Sequence, residues 1–214
     1  MISKKKVKEL LDQMEELFPD ASCELNYENE FELVIAVLLS AQTTDKSVNK
    51  LTEQLFKKYK TPEDFDKVSL TELEQDIKTI GLYRNKAKSI KRLAKQLIEN
   101  YESKVPSTFE ELVELGGVGR KTANVVLSVG FDVPRIAVDT HVERVSKRLG
   151  ICPQKDTVLE VEKKLMHLIP EERWSKAHHV FIHFGRYHCT AKNPKCEQCP
   201  LVEACKTGEK LLKA

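Results

Sequence analysis

The chain has 214 residues, a formal net charge of +2, 41% hydrophobic residues and 32% charged ones. That length allows one large core or two modest ones, and the composition excludes a disordered or fibrous chain. The longest apolar stretch, Leu33 to Leu39, is far shorter than the roughly 18 residues a membrane span needs, so no membrane partner is expected.

Met1, Ile2 and Ser3 lead into Lys4 to Lys6 and an amphipathic pattern, with no apolar core of a secretory signal. The expectation is the reducing cytoplasm, where cysteines serve as metal ligands or free thiols rather than disulfides. Charge is unevenly spread. Glu9 to Asp45 holds ten acidic residues and no basic one, and Lys78 to Lys95 holds seven basic residues and no acidic one. Such asymmetry suits one face that meets a polyanion and another that avoids it, although two solvated faces would look alike.

Val7, Leu10, Leu11, Met14, Leu17 and Phe18 recur at helical spacing and predict a first helix stopped by Pro19. Val48, Leu51, Leu55, Phe56 and Tyr59 predict another, ending near Pro62. Ser69 with Glu72 reads as a capping box opening a short helix that Gly81 closes. Ala87, Ile90, Leu93, Ala94, Leu97 and Ile98 mark the next, ending near Tyr101, and Ser107 with Glu110 caps the one after it. Val142, Val145 and Leu149 line a helix closed by Gly150, and Val158, Val161, Leu165 and Leu168 one closed by Pro170. Alternating strand patterns are nearly absent, and Ile136 to Val138 is at most an extended link. The predicted class is all-α, with about ten short helices.

Two constellations carry chemistry. Cys189, Cys196, Cys199 and Cys205 form a C-x6-C-x2-C-x5-C array within 17 residues. Soft thiolates converging on one centre select zinc or an iron–sulphur cluster, and spacing alone leaves both open. Cys23 and Cys152 stand apart and read as ordinary buried cysteines. The second constellation is Leu115-Gly116-Gly117-Val118-Gly119-Arg120-Lys121-Thr122-Ala123 between two helical patterns. Glycines there permit a tight reversal whose outward N–H groups, with the dipole of the following helix, make a phosphate-binding nest. Such a helix-hairpin-helix holds a DNA backbone without reading its sequence. Asp139 follows Lys121 by eighteen residues, at the predicted start of a helix. A lysine amine becomes a nucleophile only where its surroundings lower its pKa, and a nearby carboxylate stabilises a cationic sugar transition state instead.

Five segments occur in order: Leu38 to Asp45, Ile80 to Tyr83, Gly117 to Asn124, Ala137 to His141, and the four cysteines. Together they closely resemble bacterial endonuclease III, in the helix-hairpin-helix family of DNA glycosylases and AP lyases that carry a [4Fe–4S] cluster. The resemblance covers essentially the whole chain. It implies a six-helix barrel domain over 22–133 and a helical cluster domain from 1–21 with 134–214. It further implies Lys121 as nucleophile and Asp139 as its carboxylate partner, acting on a nucleotide flipped into a pocket between the domains. Cys189, Cys196, Cys199 and Cys205 become the cluster ligands. Gln42 and Leu82 match residues that enter the duplex. Gly117, Val118, Gly119, Arg120, His141, Arg186, Lys192 and Lys195 match DNA-contacting positions.

The implied substrate is double-stranded DNA containing damaged pyrimidines or abasic sites, bound by a monomer. Relatives that only release a base lack the lysine, and the adenine-removing ones carry a further C-terminal domain. Lys121 and an end at Ala214 set the expectation of a bifunctional enzyme. A non-catalytic DNA-binding or electron-transfer protein is the rival from another class. One departure stands out: Gly116 replaces the proline usual in the hairpin. If the backbone is unchanged there, Gly116→Pro is expected to stabilise the protein by about 0.4–1 kcal/mol.

Overall fold

The computed structural model describes residues 2–205, 207, 208 and 212. Among the described residues the chain is all-α, with no strand. It divides into two compact units, one from Glu24–Asp132 and one from Met1–Cys23 with Val133–Ala214.

The first helix, α1 (Lys4–Leu17), belongs to the second of these units; α2 (Glu30–Leu39) opens the other. Leu33, Val34, Ile35, Ala36 and Leu39 of α2 are fully buried. A helix apolar on every side needs neighbours all round, and α2 packs against α3 (Asp45–Lys58), α6 (Tyr83–Tyr101) and α8 (Arg120–Gly130). Between α3 and α6 lie α4 (Pro62–Lys67) and α5 (Leu70–Asp76), and both pack on α6. Before α8 comes α7 (Phe109–Glu114), packed against it. Along α6 the buried stripe is Lys86, Ala87, Ile90, Leu93, Ala94 and Leu97. Burying each Ile or Leu contributes about 1.5–3 kcal/mol.

In the other unit, Val7, Leu10, Leu11 and Met14 of α1 join Val142 and Val145 of α9 (Thr140–Arg148) in one core. Val161 and Leu165 of α10 (Val158–Leu168) and Ala177, Val180 and Phe181 of α11 (Trp174–His183) complete it. Arg173 fastens α1 from outside, reaching Asp12 and Glu15 at 2.8 Å each. After α11 the chain continues as a π-helical turn, Phe184–His188, that delivers Cys189.

Three local expectations need correction. Pro62 does not merely stop a helix; it is the first residue of α4, with Thr61 and Asp64 making a full capping box. Proline suits that first position because its missing N–H would have had no partner. The cap before α7 is Thr108 with Glu111, one residue later than Ser107 with Glu110. Finally, α5 ends at Asp76, well before Gly81. Ser69 caps it, but the Glu72 carboxylate turns to Lys58 at 2.8 Å instead of closing the box.

Candidate functional site

The hairpin between α7 and α8 is built on the flank of α6. Gly117 has φ +78, and a Cβ there would lie 2.6 Å from that of Ser89. Only glycine combines that left-handed backbone with so close an approach. Val118 is buried at the turn, and its N–H donates to Leu115 O at 3.1 Å. Gly119 is the N-cap of α8 and makes no side-chain cap. Nothing stands within 4 Å of where its Cβ would be, so a phosphate can approach closely. Arg120 and Lys121 follow, both exposed. The Arg120 guanidinium lies over the Phe109 ring, 4.9 Å from its centroid.

The two candidate inserting residues share a rare backbone. Gln42 has φ 55, in the connection between α2 and α3, and Leu82 has φ 58 at the N-cap of α6. Non-glycine residues reach this region at a cost of about 1–3 kcal/mol, and such strain collects at functional sites. Gln42 is exposed, and Leu82 is 52% exposed, an unusual place for a leucine.

Basic residues 78–95 do not form one charged face. Lys91 turns inward, donating to the carbonyls of Phe65 at 3.0 Å and Val68 at 2.7 Å, and also to Asp66. Lys86 is buried, and burial lowers its pKa. Lys78, Arg84, Lys88, Arg92 and Lys95 remain exposed.

In the other unit Asp139 caps α9. Its Oδ1 accepts the N–H groups of His141 and Val142, both at 2.8 Å. Two donors on one oxygen fix the carboxylate plane while completing the cap without Oδ2. His141 is half-buried, and burial lowers its pKa, with the Asp139 charge pulling the other way. Arg186 faces it closely enough to act in the same direction as burial. Arg144, three residues on, reaches His141 Nδ1 at 3.1 Å, Gly185 O at 2.8 Å and Cys189 O at 3.2 Å.

Cys189, Cys196, Cys199 and Cys205 line one small open pocket, together with Arg148, Phe184, His188 and Lys195. Burial raises the Cys196 and Cys199 pKa values, and the neighbouring cysteine charges raise them further. Four mutually repelling thiolates need a cationic centre. Among the described residues, no three His, Cys, Asp or Glu side chains surround a single metal-ion position. A zinc ion would draw its sulphurs to about 2.3 Å from one point. In an iron–sulphur cluster the four thiolates would instead bind separate irons. Arg148 braces the loop, donating to Thr190 O at 2.7 Å, Ala191 O at 2.9 Å and Cys189 Sγ at 3.4 Å. Lys192 and Lys195 are exposed on it. Cys152 is buried with its thiol pushed up to about 11, whereas Cys23 is only partly buried.

The HhH-GPD superfamily of base excision DNA repair proteins matches residues 35–171, and the iron–sulphur binding domain of endonuclease III matches residues 189–205. Endonuclease III of Bacillus subtilis is 60% identical over 210 residues, covering 98% of this chain and 96% of the relative. The chain belongs to the endonuclease III family. Endonuclease III of Escherichia coli K12 is 43% identical over 210 residues, covering 98% of this chain and 99% of the relative. A non-covalent endonuclease III–DNA complex matches with TM-score 0.98 and 58% identity over all of both chains. As a member of the endonuclease III family the protein is a DNA-repair enzyme with DNA glycosylase function, and its cofactor is a [4Fe–4S] cluster.

Sequence reasoning passed over Lys86, Ser89, Gln96, Arg144 and Arg148. Lys86 left a signal, because it falls in helical register with Ile90, Leu93 and Leu97 on an otherwise apolar stripe. The others left none, since each looks like an ordinary surface residue of an amphipathic helix.

Proposed function

We propose that this member of the endonuclease III family is a bifunctional DNA glycosylase and AP lyase that removes oxidised pyrimidines and nicks the strand at abasic sites. It acts as a monomer on chromosomal DNA in a bacterial cytoplasm. The hairpin N–H groups, Arg120, His141, Arg186, Lys192 and Lys195 hold the backbone, while Gln42 and Leu82 enter the duplex as the damaged nucleotide turns out of the stack.

Lys121, as the free amine, attacks C1′ of the damaged nucleoside. The glycosidic bond breaks, its electron pair leaves with the base, and the base gains a proton. Asp139 stabilises the positive charge that develops on the sugar. The C1′–O4′ bond then opens, with O4′ taking a proton, and leaves the amine joined to C1′ as a protonated Schiff base, which acidifies the C2′ hydrogen. Loss of that proton expels the 3′ phosphate oxygen, and water releases the lysine from the aldehyde product. Cys189, Cys196, Cys199 and Cys205 hold the cluster, which supplies order to the loop bearing Lys192 and Lys195.

The observation that carries this reading is Lys121 itself, exposed at the second position of α8 directly behind the hairpin. A trapped endonuclease III–DNA covalent intermediate, 59% identical over 99% of this chain with TM-score 0.97, supports a covalent route in a relative. Borohydride trapping on a thymine-glycol duplex and an abasic duplex tests it. Wild type should form a stable adduct on both, and Lys121→Gln on neither while still binding DNA. A wild-type rate of adduct formation by Lys121→Gln would assign the nucleophile to another amine.

A further inference from the structure

Lys86 is 5% exposed, yet it is a lysine in the middle of an apolar stripe. Its ammonium donates to Leu39 O, the last residue of α2, at 2.9 Å and to Thr43 Oγ1 at 2.9 Å. Those acceptors lie on either side of the connection that carries Gln42. Its main-chain N–H donates to Leu82 O at 3.0 Å, one turn back. A single residue therefore bonds both the segment that bears Gln42 and the one that bears Leu82, each of them left-handed and exposed.

We propose that Lys86 is a positioning residue that fixes the Gln42 connection against the Leu82 turn, so that both residues enter duplex DNA as one preset pair. The inference rests on the insertion roles given to Gln42 and Leu82 above. An ammonium stripped of water gains less by burial than an apolar side chain of equal size. What the lysine supplies that Met cannot is direction. A cation with several donors satisfies a helix-terminal carbonyl and a loop hydroxyl at once. Thr43 is the natural recipient, because its own N–H is tied to Ser40 O at 3.1 Å and so carries the constraint across Gln42. Without the tie, each loop would have to find its left-handed conformation on DNA rather than before it, and the entropy of ordering would fall on the encounter.

The experiment uses the full-length, cluster-loaded protein and a duplex with 2-aminopurine beside a thymine glycol, following base extrusion by stopped-flow fluorescence. Lys86→Met should slow extrusion tenfold or more. Gln42→Ala combined with Leu82→Ala should also slow it, and adding Lys86→Met to that pair should cost less than a further twofold. Such non-additivity marks residues acting as one unit, and a purely structural lysine would not produce it. Thr43→Val, which removes one acceptor and leaves Lys86 in place, should show the same pattern with a threefold or greater effect, and it decides the matter if Lys86→Met does not fold. Full additivity, or no effect of either Lys86→Met or Thr43→Val, overturns the proposal while leaving the insertion roles intact. An unchanged extrusion rate for the Gln42→Ala and Leu82→Ala pair overturns the insertion roles and the proposal with them.

Discussion

The Gln96 side chain clasps the hairpin at Gly116. Its Oε1 accepts the Gly116 N–H at 2.8 Å, and its Nε2 donates to Glu114 O at 2.9 Å. A side-chain amide thus takes both a donor and an acceptor from the turn that precedes Lys121, and it hangs that turn on α6. The same helix begins beside Leu82, sends Lys86 to the Gln42 connection and receives Gly117 at Ser89. All three segments proposed to face DNA in this unit are therefore referenced to one helix.

That clasp reverses the expectation for Gly116. Proline would remove the N–H that Gln96 accepts, and a Cβ at this position would lie 2.8 Å from Ser89 O, a backbone atom that cannot easily retreat. Leaving Gln96 without its donor and moving α6 together outweigh any gain in unfolded-chain entropy. Gly116→Pro should lower stability by about 1–3 kcal/mol, read by thermal or urea denaturation. A raised melting temperature would show that the hairpin relaxes away from Ser89 freely.

Asp139 caps α9 and has a proposed chemical task besides, and two substitutions separate them. Asn retains an oxygen that can accept from His141 and Val142, and it is as good an N-cap as Asp. Asp139→Asn should therefore melt close to wild type, while excision of a damaged base falls by orders of magnitude because the charge is gone. Asp139→Ala should lose the activity and about 1 kcal/mol of stability as well. Equal melting temperatures for the Asn and Ala forms would mean the cap contributes nothing.

The strained backbone at Leu82 sets stability against activity. At φ 58 and 52% exposure the side chain adds little packing, and glycine meets no penalty there. Leu82→Gly should be as stable as wild type, or more so by up to about 1 kcal/mol, yet process duplex lesions more slowly. A clear loss of stability would mark Leu82 as a packing residue instead.

Removing the cofactor should act locally. Purified protein should be yellow-brown, with broad absorbance near roughly 400 nm from sulphur-to-iron charge transfer. Cys199→Ser should weaken DNA binding and expose the segment after Cys189 to proteolysis. Hydrogen exchange in α2, which lies in the other unit, should change little. A stoichiometric zinc protein without iron, grown with iron available, would contradict the cluster.

Much of this was legible in one dimension. Helix positions followed from the apolar spacing of α1, α3, α6, α9 and α10, because a helix that buries one face must repeat its apolar residues every three or four positions. The cysteine array and the Gly-Val-Gly-Arg-Lys turn were visible because their ligands and donors come from one short segment. The α4 helix was missed because Pro62 was read only as a stop, although Thr61, Pro62 and Asp64 hold a complete start signal.

What the sequence by itself determined is the list of parts: an all-helical chain, a four-cysteine loop, a glycine hairpin between two helices, and a lysine and an aspartate each at a helix start. Tertiary structure alone decided how those parts are held. The acceptors of Lys86 lie 47 and 43 residues away, the two partners of Gln96 18 and 20, and Arg148 reaches across 41 to 43 residues to brace the cysteine loop. No periodicity records such pairings, because they depend on which helix flanks meet after the core has closed. The same is true of which lysines turn inward. The inward turn of Lys86 and Lys91 is set largely by the carbonyls that neighbouring helix ends present to them, and those carbonyls belong to the backbone, which every sequence shares.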